Sequence, residues 1–306
     1  MKRMLDRRTF SKVLAAGAGL GRLPLLNAET GKIQIGYTCL TWNAVPRTPE
    51  ALEPALKDIS GLGFYSFETF SEILKDWDTK GTLTQLIDRY GVPLRSGYST
   101  TNVIDPLQRK ETLEKVLAWG KVIKKYGGTF AVLAPNSVKR ETYDFNAHRS
   151  DIISALNDYA MALTDLGLTA GLHQHTGTAI EARDEVYAVM DAVDTKYVKF
   201  APDVGQLQKG GADAAKVVSD FVPILKHMHL KDYNGTGAFA QYCAGYCPLG
   251  QGKVDIKAIL DTLEKANTNP DVLVELDRSP NAPLTALEAA QTSKAYLEKL
   301  GYKFRS

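Results

Sequence analysis

The amino-acid sequence predicts a (β/α)8 barrel that forms a single domain. Two observations lead to this fold class: short β-rich runs alternate with amphipathic segments, and polar residues gather where the runs end. The runs begin near Ile33 (IQIGY), Phe64, Val92, Thr129, Thr169, Val198, Ile224 and Val272. Eight βα units in a chain of 306 residues suit a closed barrel, which typically takes about 250 residues.

The segments between the runs have helical periodicity, with apolar residues three and four positions apart. Clear examples are 113–123, 152–163 and 256–263. Several of these segments end in glycine just before the next run, which is a common way to end a helix. An open sheet that binds a dinucleotide would carry G-x-G-x-x-G after its first strand. The chain has TCLTWN there, so a doubly wound sheet is not expected.

The N-terminal segment 1–28 is predicted to be a signal rather than part of the barrel, which would span 29–306. Arg7 and Arg8 precede a weakly apolar stretch that ends in small residues. This order is typical of twin-arginine export, and it predicts a periplasmic protein. A basic, poorly ordered tail is the alternative, and Arg22 within the apolar stretch favours that alternative.

Replacement of both Arg7 and Arg8 by Lys is expected to trap the precursor in the cytoplasm, because this export route recognises the arginine pair. Cell fractionation and immunoblotting would measure the periplasmic yield. The Arg22→Lys variant is the matched control and should be exported like the wild type. Equal periplasmic yield from the double Lys variant would rule out a twin-arginine signal.

The composition is that of an ordinary globular protein, with 44% hydrophobic and 24% charged residues. A net charge of +2 argues against nucleic acid as a partner, because binding to a phosphate backbone requires concentrated positive charge. No apolar stretch approaches the roughly 20 residues of a membrane span. The sequence therefore predicts a small-molecule partner, and it leaves open whether the chain forms a homo-oligomer.

Three cysteines are too few for a disulfide framework. Cys243 and Cys247 lie in one loop and could form a disulfide in an oxidising compartment. Two free thiols are the equally weighted alternative.

Four of the five histidines form two H-x-H pairs, His173 with His175 and His227 with His229. Alternate residues of a strand point to the same side, so both members of a pair can face one cavity. A single histidine at a strand end is usually an ordinary polar group. Two pairs at strand ends, with acids on neighbouring strands, favour metal ligation instead.

Two carboxylates complete this pattern. Glu275 stands among aliphatic residues, where a carboxylate is rarely buried unless it is paired or bound to a cation. Asp203 follows a proline and could either bind a metal or cap the next turn. With His229 and one histidine of the 173/175 pair, these acids make a typical ligand set for a catalytic divalent ion. The other histidine of that pair would be free to transfer a proton.

The polar residues fall at or near the carboxyl ends of their strands, the face on which barrel enzymes build active sites. This group is Glu68, His173, His175, Asp203, His229 and Glu275. The nearby candidates for substrate contact are Trp42, Glu68, Tyr98, Lys231 and Arg278. Surface or core roles are the alternative for each of these five.

The order of these motifs resembles the xylose isomerase-like barrels, which include tagatose epimerases, inosose dehydratases and endonuclease IV. The pattern is an acid, then D-x-G, then H-x-K-D, then a glutamate on the final strand, and it extends from about Ile33 to the C-terminus. Two segments are similar to the inosose dehydratase branch, GLHQHTGT at 171–178 and PLGQGKVD at 248–255.

The resemblance implies one divalent ion, manganese, cobalt or zinc. The implied ligands are His173, Asp203, His229 and Glu275, and the implied catalytic residues are His175, Glu275 and Lys231. Two departures from the family pattern stand out. His173 occupies the place of a metal-binding glutamate that epimerases also use as an acid/base group. Gln206, a candidate substrate contact, replaces the histidine of D-x-G-H. Both departures favour a different proton route, such as elimination.

The resemblance therefore implies a sugar isomerase or epimerase that removes a proton next to the carbonyl of a keto-sugar or cyclitol. A dehydratase or lyase, of the inosose dehydratase or 3-keto-glycoside-cleaving type, is a nearly equal alternative. A non-catalytic carbohydrate-binding barrel would not need the metal ligands. An apurinic endonuclease would need more histidines and a more basic surface.

Overall fold

A computed structural model describes residues 33–42, 48–237 and 239–306, so the predicted signal segment 1–28 lies outside the described residues. Within this part of the chain there are ten strands and ten α-helices. The strands are β1 (Ile35–Thr38), β2 (Phe67–Phe70), β3 (Leu94–Thr101), β4 (Phe130–Pro135), β5 (Thr169–Leu172), β6 (Val198–Phe200), β7 (His227–Leu230), β8 (Asp232–Tyr233), β9 (Tyr246–Cys247) and β10 (Asp271–Val274). The helices are α1 (Pro49–Gly61), α2 (Ser71–Lys80), α3 (Leu83–Tyr90), α4 (Arg109–Lys125), α5 (Phe145–Asp165), α6 (Arg183–Met190), α7 (Val204–Lys209), α8 (Ala214–Phe221), α9 (Ile256–Lys265) and α10 (Ala286–Lys299).

Eight of the strands form one parallel sheet in the order β6-β5-β4-β3-β2-β1-β10-β7. The two ends of this sheet meet through parallel bridges from Phe200 to Leu225 and from Asp203 to His229. The His229 amide also donates to the Pro202 carbonyl at 2.9 Å. The sheet therefore closes between β6 and β7, and the (β/α)8 barrel predicted from the sequence is confirmed.

The strands are buried on both faces, as parallel barrel strands must be. On β1, Tyr37 packs outward in an edge-to-face contact with Phe64, 4.9 Å between ring centroids. On β3, Gly97 faces Ile123 of α4 so closely that a Cβ would lie 2.6 Å from its side chain. The alternate residues of these strands face the barrel interior. Outward-facing apolar residues thus pack against the helices, and inward-facing residues are available to form a site.

The helix boundaries follow ordinary capping chemistry. The helix α3 ends at Gly91, which has φ 59° and donates its amide to the Ile87 carbonyl; this left-handed position favours glycine. The helix α5 begins at Asp144, whose carboxylate accepts the amides of Asn146 and Ala147. No described helix is both long and apolar enough to cross a membrane.

The segment after β7 folds into the short antiparallel hairpin β8-β9. Asp232 fixes it: its buried carboxylate accepts the backbone amides of Tyr233, Gly250, Gly252 and Val254 at 2.8 to 3.1 Å. The loop that contains the PLGQG sequence is therefore tied to the end of β7. Cys243 and Cys247, at this hairpin, are buried free thiols.

Candidate active site

The inward-facing residues at the carboxyl ends of the strands surround a cavity of about 200 Å³. Acidic and histidine side chains in its lining come from Glu68, His175, Glu275 and Asp277. Hydroxyl groups come from Thr38, Thr69, Thr100, Ser137 and Thr178, and apolar or aromatic surface comes from Leu40, Phe70, Tyr98 and Pro135. The cavity lies on the face of the barrel on which the sequence predicted the site.

His173 follows β5 and is fully buried. Its Nδ1 lies 3.0 Å from the Ala201 carbonyl oxygen, which can only accept, so Nδ1 carries the hydrogen. Burial, reinforced by the nearby charge of His229, lowers the pKa of His173 well below its usual value. The ring is therefore neutral, with its lone pair on Nε2. That atom is buried and has no hydrogen-bond partner among the described residues.

Asp203 takes one of the two roles that the sequence left open, the helix cap, and keeps its second oxygen inside the barrel. Its Oδ1 accepts the Gln206 amide at 2.9 Å and caps α7. Its Oδ2 lies 2.8 Å from the Lys231 Nζ inside the barrel. Capping with one oxygen fixes the carboxylate and leaves the other oxygen turned toward the cluster.

His229 stands between two glutamates. Its Nε2 lies 2.7 Å from Glu68 Oε1, and its Nδ1 lies 3.3 Å from Glu275 Oε2. Burial alone would lower the pKa of His229, but the charges of Glu275 and Glu68 raise it well above its usual value. The contact with Glu68 fixes the orientation of the ring and directs Nδ1 toward Glu275.

Glu68 holds the second H-x-H pair together. Its Oε2 lies 3.0 Å from His227 Nε2 and accepts the Ser96 hydroxyl at 2.5 Å. His227 is also buried and stacks on Phe130, 4.8 Å between ring centroids. Glu68 thus contacts the imidazoles of both His227 and His229.

Lys231 is fully buried among carboxylates. Its Nζ lies 2.8 Å from Asp203, 2.6 Å from Glu275 and 3.2 Å from Asp277. Burial would lower the pKa of Lys231, but the three acids raise it well above its usual value. For the acid Glu275 the effect of burial has the opposite sign and would raise the pKa. The positive charges of His229 and Lys231 nevertheless hold the pKa of Glu275 well below its usual value. Glu275 is therefore a carboxylate and Lys231 is an ammonium group.

Three residues of the cluster place their donor atoms close enough together to hold one cation. One donor atom each from His173, Asp203 and His229 lie within 4.8 Å of one another, and Glu275 adjoins them through His229. Imidazole nitrogens and carboxylate oxygens are the donors that divalent ions of this kind take in proteins. The unpartnered Nε2 of His173 therefore fits a metal ligand.

A second trio, Glu68, His227 and His229, also places its donor atoms within 4.8 Å. These atoms already contact one another, with the carboxylate between the two imidazoles. Their contacts are those of groups that orient a ligand rather than bind a metal.

His175 lines the cavity beside this cluster. Its Nδ1 lies 2.7 Å from the Thr176 carbonyl oxygen, so Nδ1 carries the hydrogen. The Gln206 amide nitrogen donates to its Nε2 at 2.7 Å, while the Gln206 oxygen accepts from the Thr176 amide and hydroxyl. Gln206 thus orients His175 in the arrangement that the structure shows.

The structure places the other candidate residues in different surroundings. Tyr98 lines the cavity and contacts His173 edge to face, 5.3 Å between centroids. Trp42 instead donates its Nε1 to Asp58 at 2.8 Å, and the Arg278 Nε donates to the Leu284 carbonyl. Neither Trp42 nor Arg278 is among the described residues that line the cavity.

Sequence reasoning did not select Asp277, which lines the cavity and contacts both Lys231 and Gln206. The signal was present, because Asp277 stands two residues after Glu275 and a strand presents alternate residues to the same side. The reasoning applied to the H-x-H pairs would have found this E-x-D pair.

Comparison with known proteins identifies relatives across nearly the whole chain. The family model described as xylose isomerase-like TIM barrel matches residues 56–300. Inosose dehydratase of Clostridium beijerinckii is 22% identical over 305 residues, covering 91% of this chain and 100% of that protein. Inosose dehydratase of Clostridium botulinum is 24% identical, covering 89% of this chain and 98% of that protein.

Solved structures show the same fold at lower identity. The IolI protein with a bound zinc atom has a TM-score of 0.72 at 17% identity, and the match covers 90% of this chain and 100% of that chain. The 3-keto-D-glucoside 4-epimerase YcjR from E. coli has a TM-score of 0.66 at 17% identity, with 88% and 99% covered.

Proposed function

Because the chain belongs to the xylose isomerase-like TIM-barrel family, we propose that it is a divalent-metal-dependent enzyme that removes a proton next to the carbonyl of a keto-sugar or cyclitol. One observation carries the proposal: the buried, neutral His173 has an unpartnered Nε2 that points into a cluster with Asp203 and His229. A buried polar atom without a partner is unfavourable, and a cation supplies the partner.

The proposed ligands are His173, Asp203, His229 and Glu275, a mixed set that suits manganese, cobalt or zinc. When bound, such an ion polarises a substrate carbonyl and favours loss of the neighbouring proton. Two groups support the ligands from outside: the Ala201 carbonyl accepts from His173, and Glu68 orients His229 through Nε2. Contacts of this kind fix the tautomer and direction of a ligand histidine.

The proton transfers are assigned to groups around the cavity. His175 lines it with Nδ1–H held by Thr176, so its Nε2 can accept a proton once substrate displaces the Gln206 amide. Glu275 is a second acceptor, because its carboxylate is ionised. Lys231 holds its protons at Nζ under the influence of three acids, which suits a donor and a neutralising charge rather than a base.

The fate of the deprotonated substrate separates two candidate reactions. Return of a proton to carbon gives isomerisation or epimerisation, the outcome that we favour from the shared chemistry of the family. Loss of a β-substituent gives dehydration or glycoside cleavage. This second outcome is supported by the inosose dehydratase relatives and by a histidine, His173, where epimerases carry a second acid/base carboxylate.

We expect metal-loaded protein to exchange substrate hydrogen with solvent. The protein would be incubated in D2O with 2-keto-myo-inositol, a 2-keto-sugar or a 3-keto-sugar, and the mixture followed by NMR and mass spectrometry. Deuterium in an unchanged or rearranged sugar would indicate isomerase or epimerase chemistry, and loss of water or of a glycosidic group would indicate a lyase. Chelator-treated protein is the control. Binding of these sugars with neither exchange nor product would favour a non-catalytic barrel.

A further inference from the structure

Thr38 lies at the carboxyl end of β1, beside the acids of the site. It pairs with Glu68 in the parallel register of β1 and β2. On the other edge of β1, Tyr37 pairs with Val274. The next residues along these two strands, Thr38 and Glu275, are therefore neighbours. Thr38 shares their inward face and lines the cavity.

The Thr38 hydroxyl is buried without a partner. The residue is 2% exposed, and its Oγ1 forms no hydrogen bond with any part of the chain that the structure describes. The neighbouring acids are already occupied: Glu68 contacts two imidazoles, and Glu275 contacts His229 and Lys231. Because burial of an unpaired hydroxyl is unfavourable, its partner is expected to come from the cavity.

The rest of the cavity indicates what that partner is. Leu40, Phe70 and Tyr98 give it an apolar wall, while hydroxyl groups line other positions. Its acidic and histidine lining residues, among those described, are Glu68, His175, Glu275 and Asp277. Among the described residues that line the cavity there is no lysine or arginine to pair with a phosphate or carboxylate. A ring with apolar C–H faces and hydroxyls at its edge matches both features.

We propose that Thr38 is a specificity-determining residue whose hydroxyl binds a hydroxyl group of a neutral, unphosphorylated keto-sugar or cyclitol. This inference rests on the proposed function and identifies a residue that recognises the substrate. Thr38 acts through one hydrogen bond, so its removal should weaken binding without changing the metal content.

The test measures the binding of 2-keto-myo-inositol, 3-keto-D-glucose and D-fructose 6-phosphate to metal-loaded protein by calorimetry. Thr38→Val keeps the shape but lacks the hydroxyl, and it should weaken binding of the neutral keto-sugar that the wild type prefers by about tenfold. Thr38→Ser should restore most of the affinity. Thr262→Val is the matched control, because the Thr262 hydroxyl donates to the Ala258 carbonyl within α9 and Thr262 is not among the described residues that line the cavity. It should bind like the wild type.

Three results would overturn the inference. Equal affinities in all four proteins would remove Thr38 from substrate recognition, and the proposed function would stand if the wild type still exchanges deuterium. Tighter binding of D-fructose 6-phosphate than of both neutral sugars would overturn the neutral-ligand assignment. Failure of the wild type to bind either keto-sugar, together with absence of exchange, would overturn the inference and the proposed function together.

Discussion

Replacing Glu275 by Gln, or Asp203 by Asn, is expected to prevent the purified protein from retaining the proposed divalent metal. Each change replaces a proposed carboxylate ligand by an amide, whose neutral oxygen binds a divalent cation more weakly. Loss of a group that merely supports a ligand typically lowers metal affinity by about 10- to 100-fold. Loss of a ligand itself should therefore cost at least about 100-fold. Elemental analysis, followed by titration with manganese or cobalt, would measure it.

Asp271→Asn is the matched control for this experiment. Asp271 begins β10, the strand that Glu275 follows, and its carboxylate is 3.2 Å from the Arg95 Nε at the opposite end of that strand. This variant should retain the metal content of the wild type. Circular dichroism would confirm that each variant is folded. Full metal occupancy in both the Glu275 and the Asp203 variants would remove these carboxylates from the ligand set.

Substitution of each of the two histidines after β5 is expected to reduce activity for a different reason. His173→Ala should lose the metal, because it removes the buried Nε2. His175→Ala should keep the metal but lower kcat by about 10²- to 10⁴-fold, the usual contribution of a positioned proton-transfer group. Metal content and kcat measured on the same preparations would separate the two effects.

His148→Ala is the control for both variants, because His148 lies on α5 and stacks on Tyr143 outside the cavity. It should change neither metal content nor kcat. The reverse pattern for His173 and His175 would exchange their roles while leaving the chemistry in place. Unchanged activity in both variants would remove this strand end from the catalytic site.

The barrel fold is predictable because each β-rich run is bounded by segments with helical periodicity. The residue at which each strand begins is harder to predict. The runs near Phe64 and Ile224 begin before their strands, which start at Phe67 and His227. In the second case, Val222–Ile224 forms a 3-10 helix that contains Pro223. Apolar composition does not distinguish a strand from the buried turn that leads into it.

The ligand candidates were found because strand alternation alone brings H-x-H pairs and strand-end acids to one face. The sequence predicts substrate contact for Glu68, which lines the cavity, but not the contacts of its carboxylate with His227 and His229. These contacts join β2 to β7, and no local sequence pattern carries information about such a pairing. Asp232 is similar, since its four amide partners depend on how the loop around Gly252 folds back.

The measurement that tests the central claim most directly is anomalous X-ray diffraction from crystals of protein loaded with manganese or zinc. We expect one peak in contact with His173 Nε2, Asp203, His229 Nδ1 and Glu275, with Glu68 outside the ligand shell. A peak between Glu68, His227 and His229 instead, or no peak anywhere in this cluster, would contradict the account.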